Sequence, residues 1–89
     1  MNDYQIQESL KKLNGWNYQE KTLVKEFKFD NFLKSVEFVN QVAPLAEKMN
    51  HHPNLQIAYS KVTVTLTTHD SGGVTQKDFD LAMQIEYLI

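Results

Sequence analysis

The spacing of apolar residues alternates between a helical and an extended period along this chain, and the switches divide it into elements. Ile6, Leu10 and Leu13 fall on one side of a helix predicted over residues 3–13, which Asn14-Gly15 would terminate. Trp16 and Tyr18 then alternate with Asn17 and Gln19. After a turn near Glu20-Lys21, Leu23, Phe27 and Phe29 alternate with Val24, Glu26 and Lys28, as in a hairpin with one buried face. From Asp30 the helical period returns: Phe32, Val36, Val39, Ala43 and Ala46 form a stripe that Leu33, Phe38, Val42, Leu45 and Met49 widen. This predicts a long helix over about residues 31–50 with Asp30 as N-cap. Pro44 interrupts its backbone hydrogen bonding and crowds the carbonyl of Asn40, so a bend is expected there, with the stripe continuing in phase.

Pro53 closes that helical region, and Leu55, Ile57 and Tyr59 alternate with Gln56 and Ala58 in a second hairpin, with its turn at Ser60-Lys61. The returning strand puts Val62, Val64 and Leu66 on one face and Thr63, Thr65, Thr67 and His69 on the other. Asp70-Ser71-Gly72-Gly73 is a loop. Thr75-Gln76-Lys77-Asp78 has the form of a capping box opening a last helix with Phe79, Leu81, Ala82, Ile85, Leu88 and Ile89 as its apolar positions. Two hairpins and three amphipathic helices in the order α-β-β-α-β-β-α predict an α+β fold, a four-stranded antiparallel sheet with the three helices on one face. The edge strands of such a sheet are ready sites for pairing with a second subunit.

Composition narrows the function classes. Eighty-nine residues without a Pro/Gly/Ser-rich linker or a repeat make residues 1–89 one domain. A core this small gives modest stability, which favours a homodimer or homotetramer. No cysteine is present, so disulfides and thiolate chemistry are excluded and a metal would have only nitrogen and oxygen ligands. The start of the chain, MNDYQIQESLKKL, lacks the basic and apolar runs of a secretory signal, and no apolar stretch is long enough to cross a membrane, so a cytoplasmic location is expected. A net charge of -2, with Lys11-Lys12 the only adjacent basic pair, argues against nucleic acid as a partner.

The candidate chemistry lies in two segments that hold all three histidines, Glu47-Lys48-Met49-Asn50-His51-His52-Pro53 and Thr67-Thr68-His69-Asp70. Glu47 and His51 are four apart and share a helix face, where the carboxylate and the helix C-terminus would both favour the imidazolium. Imidazole exchanges protons near neutral pH, which suits general acid–base catalysis. The bland alternative is that His51 caps the helix, His52 is a solvated loop residue and His69 a polar strand end. A three-histidine metal site is disfavoured because His-x-x-x-His is absent and adjacent His51-His52 rarely reach one ion. Asp78 is open between a helix cap and a site residue. Trp16 reads as packing, Phe27, Phe29, Phe32 and Phe38 as core, and the Tyr59 ring as structural.

The ordered series Glu47-x-x-x-His51-His52-Pro53, Tyr59, Thr67-Thr68-His69, Gly72-Gly73 and Asp78-Phe79 resembles the pterin-4a-carbinolamine dehydratase family, and Gly15-Trp16, Phe27-Lys28-Phe29 and Ala46-Glu47 extend the likeness over most of the chain. The resemblance implies dehydration of a 4a-hydroxytetrahydropterin to a quinonoid dihydropterin, recycling the pterin of aromatic amino acid hydroxylases, with no metal or organic cofactor. It implies that His51, His52 and His69 are catalytic, that Glu47 orients His51, and that Asn50, Thr67, Thr68, Asp70 and Asp78 belong to the pterin site. Pro44, and Leu55 where relatives often carry an aromatic, depart from the family pattern. Some members act as binding cofactors for other proteins, so a dimerisation or assembly module is the competing reading.

Overall fold

The computed structural model describes residues 1–89 throughout, in the order α1 (Asp3–Leu10), β1 (Asn17–Gln19), β2 (Thr22–Lys28), α2 (Phe32–Met49), β3 (Asn54–Ala58), β4 (Lys61–Leu66) and α3 (Gln76–Glu86). The strands form one antiparallel sheet in the order β1-β2-β4-β3, so the second hairpin adds through β4 and leaves β1 and β3 at the edges. Register pairs Leu23 with Leu66, Lys25 with Val64 and Phe27 with Val62. Because side chains alternate across a strand, this face carries the core while Glu26, Thr63 and Gln56 line up on the other. Val62, Val64, Leu66, Leu23, Leu81 and Ile85 are all wholly buried. No helix is long and apolar enough to cross a membrane.

The α+β architecture and element order match the expectation from apolar periodicity, and several local features differ. The N-cap of α2 is Asn31, whose side chain accepts from the Lys34 N–H, and Asp30 lies outside the helix. The buried side of α2 is Ser35, Phe38, Val42 and Ala46, whereas Phe32 and Leu33 are 52% and 65% exposed. This helix is apolar over more than one face, so its pattern alone left the inward side open. Pro44 sits within one continuous helix, on its exposed side. The second hairpin turns at Tyr59-Ser60, one residue earlier than expected. Tyr59 takes a positive φ of 56° and leaves its ring exposed, correcting its structural assignment. Helix α1 stops at Leu10, short of residue 13, and Asn2 closes a capping box with Gln5.

One core-facing position is charged. Lys25 lies in phase with Leu23 and Phe27, and its ammonium donates to Glu86 Oε2 at 2.7 Å and to the Asn14 carbonyl at 2.7 Å. Trp16 Nε1 donates to the same Glu86 oxygen at 3.0 Å, and the Trp16 ring meets Phe27 edge-on. These bonds fasten the loop after α1 to β2 and to the end of α3. Truncating Leu66, wholly buried at the end of the inner strand β4, removes both transfer energy and packing. Leu66→Ala is expected to cost about 2–5 kcal/mol in urea denaturation; a loss under about 1 kcal/mol would contradict the core assignment.

Candidate functional site

The end of α2 separates the adjacent histidines. Asn50 adopts a left-handed conformation with φ 51°, which asparagine tolerates better than most residues. The Asn50 N–H then donates to the Glu47 carbonyl at 3.1 Å and the His51 N–H to the Ala46 carbonyl at 3.0 Å. This paired arrangement is a Schellman motif, and it folds His51 back over the helix end. Pro53 disfavours helical backbone at the residue before it, His52, which continues the chain extended. His51 is consequently buried and His52 exposed.

The second segment leaves β4 at Leu66. His69 opens a short 3-10 turn, His69–Ser71, and Gly72 with φ 71° reverses the chain. The loop is clasped at its base, where the Thr68 N–H donates to the Gly73 carbonyl at 3.0 Å and the Gly73 N–H returns to the Thr68 carbonyl at 3.3 Å. Thr67 Oγ1 donates to the Lys21 carbonyl at 3.0 Å, tying the strand end to the first hairpin.

The two segments meet around a cavity of about 430 Å³ bordered by His51, His52 and His69. Asn50, Thr67, Thr68 and Asp70 stand in its wall, so these sequence-predicted residues converge on one space. Lys77, in the first turn of α3, joins them and was not picked out by sequence reasoning. Its only signal was its place in the capping-box segment beside Asp78. A second cleft of about 390 Å³ adjoins the first, sharing His52, Thr67 and His69 and continuing past Thr22 and Thr65. Leu55 is partly buried against the core and borders another cleft with Pro53 and Ala46. The side chains form no group of three or more His, Asp or Glu spaced to hold a metal ion.

The carboxylates pair differently from the expectation that Glu47 orients His51. Glu47 Oε2 lies 2.5 Å from His52 Nε2, and both side chains are largely exposed. His51 Nε2 instead lies 2.5 Å from Asp78 Oδ1, and Asp78 is wholly buried. The reason is the Schellman turn, which swings His51 off the helix face it would share with Glu47. Asp78 serves also as a helix cap: its Oδ2 accepts from the Thr75 N–H at 2.9 Å and from Thr68 Oγ1 at 2.8 Å. The cap and the histidine partner are one carboxylate, each function using its own oxygen.

Comparison with known proteins bears on this arrangement. Residues 1–88 match the model of the family described as pterin 4 alpha carbinolamine dehydratase. The chain belongs to this family. A relative from Sulfolobus acidocaldarius, provisionally named a pterin-4-alpha-carbinolamine dehydratase, is 46% identical over 85 residues, covering 96% of this chain and 93% of its own. Among solved structures, the transcriptional coactivator/pterin dehydratase from Brucella melitensis superposes with a TM-score of 0.95 at 34% identity, covering 99% of this chain and 96% of that one. A pterin dehydratase-like protein identified as a RuBisCO assembly factor in the alpha-carboxysome gives a TM-score of 0.71 at 26% identity, with 84% and 89% coverage.

Burial separates the two histidine–carboxylate pairs of this family member. Removing one partner of a buried pair leaves the other unsatisfied, so Asp78→Ala is expected to cost about 3–5 kcal/mol. Glu47→Ala breaks an exposed pair and is expected to cost less than about 1 kcal/mol. Chemical denaturation of both variants checks the contrast; equal losses would refute it.

Proposed function

We propose that the chain dehydrates a 4a-hydroxytetrahydropterin to the quinonoid dihydropterin and water. The convergence of His51, His52 and His69 on one cavity carries this reading, and membership of the family supports it. One imidazolium donates its proton to the C4a hydroxyl, and the C4a–O bond breaks with its electron pair leaving on water. A neutral imidazole takes the N5 proton, and the N5–H pair becomes the C4a=N5 double bond. One proton is given and one taken, so no oxidant, reductant or metal enters the balance. The two steps call for imidazoles in different settings, and the structure offers one ring buried against Asp78 and another exposed beside Glu47. A cavity of about 430 Å³ is in the range of small-molecule sites. Asn50, Thr67, Thr68, Asp70 and Lys77 offer polar groups to the edge of a pterin, and Glu47 acts through His52. The product re-enters reduction and so serves an aromatic amino acid hydroxylase.

A second reading, an assembly module that binds another protein without catalysis, draws on the likeness to the RuBisCO assembly factor. The two are separated by following dehydration of a chemically generated 4a-hydroxytetrahydropterin with and without the protein. Acceleration is expected, and His51→Ala and His69→Ala should each lower kcat/KM by about 10²–10⁴-fold. No acceleration by the wild-type protein would overturn the enzyme reading in favour of the assembly module. Unchanged rates in both variants would overturn the histidine assignment.

A further inference from the structure

The hydroxyl of Thr68 occupies a joint between the two histidine segments. It donates to Asp78 Oδ2 at 2.8 Å and lies 2.9 Å from Thr75 Oγ1. An ionised carboxylate only accepts, so the single Thr68 proton is committed to Asp78 and the Thr75 hydroxyl must donate to Thr68. The same logic fixes His51. Its Nε2 faces Asp78 Oδ1, so in the neutral ring Nε2 carries the proton and Nδ1 holds the lone pair. Nδ1 has no partner within the protein, and no buried side-chain nitrogen or oxygen is left unpartnered, so Nδ1 keeps contact with solvent, and the cavity is the open space that His51 borders. The hydrogen bonds therefore run in one direction, from Thr75 through Thr68 to Asp78, which in turn accepts from His51. The backbone of Thr68 also closes the loop that presents His69.

We propose that Thr68 is a positioning residue: with Thr75 behind it, its hydroxyl holds the Asp78 carboxylate in the orientation that keeps neutral His51 as the Nε2–H tautomer, with Nδ1 as the cavity-facing proton acceptor. The tautomer is a property of the folded protein alone; the assignment of His51 Nδ1 as the base that takes the substrate N5 proton rests on the dehydratase reading. Removing the hydroxyl leaves Oδ2 with only the Thr75 N–H and leaves the Thr75 hydroxyl without its acceptor. The carboxylate then keeps two of its three donors, its orientation toward His51 is held less firmly, and both ring tautomers become accessible. Removing the hydrogen-bond partner that orients a metal-binding histidine typically costs about 10–100-fold, and a loss of that order is expected for this orienting partner.

The test combines ring-nitrogen NMR with kinetics on the full chain. At a pH where the His51 ring is neutral, the wild type and Thr68→Ser should show Nε2 protonated and Nδ1 bare, and Thr68→Val a mixture of tautomers. In the dehydration assay Thr68→Val should lower kcat about 10–100-fold with KM changed less than about threefold, and Thr68→Ser should restore kcat. A wild-type ring protonated at Nδ1, a Thr68→Val ring still purely Nε2–H, or a kcat loss that serine does not rescue would each overturn the proposal. If Thr68→Val does not fold, Thr68→Ala removes the same hydroxyl without adding a second methyl and is read by the same criteria. A protein with no dehydratase activity but a Thr68-dependent tautomer would retain the positioning role and overturn only the base assignment.

Discussion

Everything at the site turns on one carboxylate taken out of water. Asp78 is wholly buried, and stripping a carboxylate of solvent costs several kcal/mol unless donors replace the water. Here the donors come from three places in the chain: His51 just beyond α2, Thr68 beyond β4 and the Thr75 backbone at the start of α3. Compensating that charge thus requires the two histidine segments and the last helix to meet, and the folded state leaves no buried side-chain polar atom unpartnered. The cavity is preorganised because the interaction that balances the buried charge also sets the distance between its walls.

The adjacent histidines acquire different characters from the same short segment, Glu47 to Pro53. A left-handed Asn50 turns His51 inward, and Pro53 sends His52 outward. Each finds a carboxylate at 2.5 Å, one buried and one in solvent. Water and salt screen the exposed pair, so His52 is free to move with a ligand, while His51 is buried and held through Nε2 by Asp78. On the proposed function, these two imidazoles in unlike surroundings are where the donor and the acceptor for dehydration of a carbinolamine are sought. The second cleft shares His52 and His69 with the first and extends the open space past Thr22 and Thr65.

Much of the fold was legible in the sequence because burial imposes period. The hairpins and the last helix follow from Val62, Val64 and Leu66 and from the Thr75–Asp78 capping box, all of which obey short-range rules. The misreadings arose where a long-range contact decides. The inward face of α2 depends on what packs on it, and its wide apolar stripe could not reveal that Phe32 and Leu33 stay exposed. Lys25 breaks the alternation of β2, yet its partners Glu86 and Asn14 are distant in sequence. At the site, the histidine segments were legible as clusters of proton-exchanging groups. The partner of His51 was not, because an i,i+4 rule favours Glu47 only while the helix continues, and the Schellman turn ends it. Asp78 read as a cap because only one of its oxygens serves nearby sequence; the other reaches back 27 positions to His51.

On the proposed function, a pterin binds in the space bordered by His51, His52 and His69. Titration of the protein with an unreactive oxidised pterin, followed by NMR of the histidine rings and the backbone amides, addresses it most directly. Saturable shifts confined to the three rings, the amides of Thr67 to Asp70 and Lys77 are the predicted result. Shifts that cluster elsewhere on the sheet or helices, or an absence of binding at millimolar pterin, would contradict it.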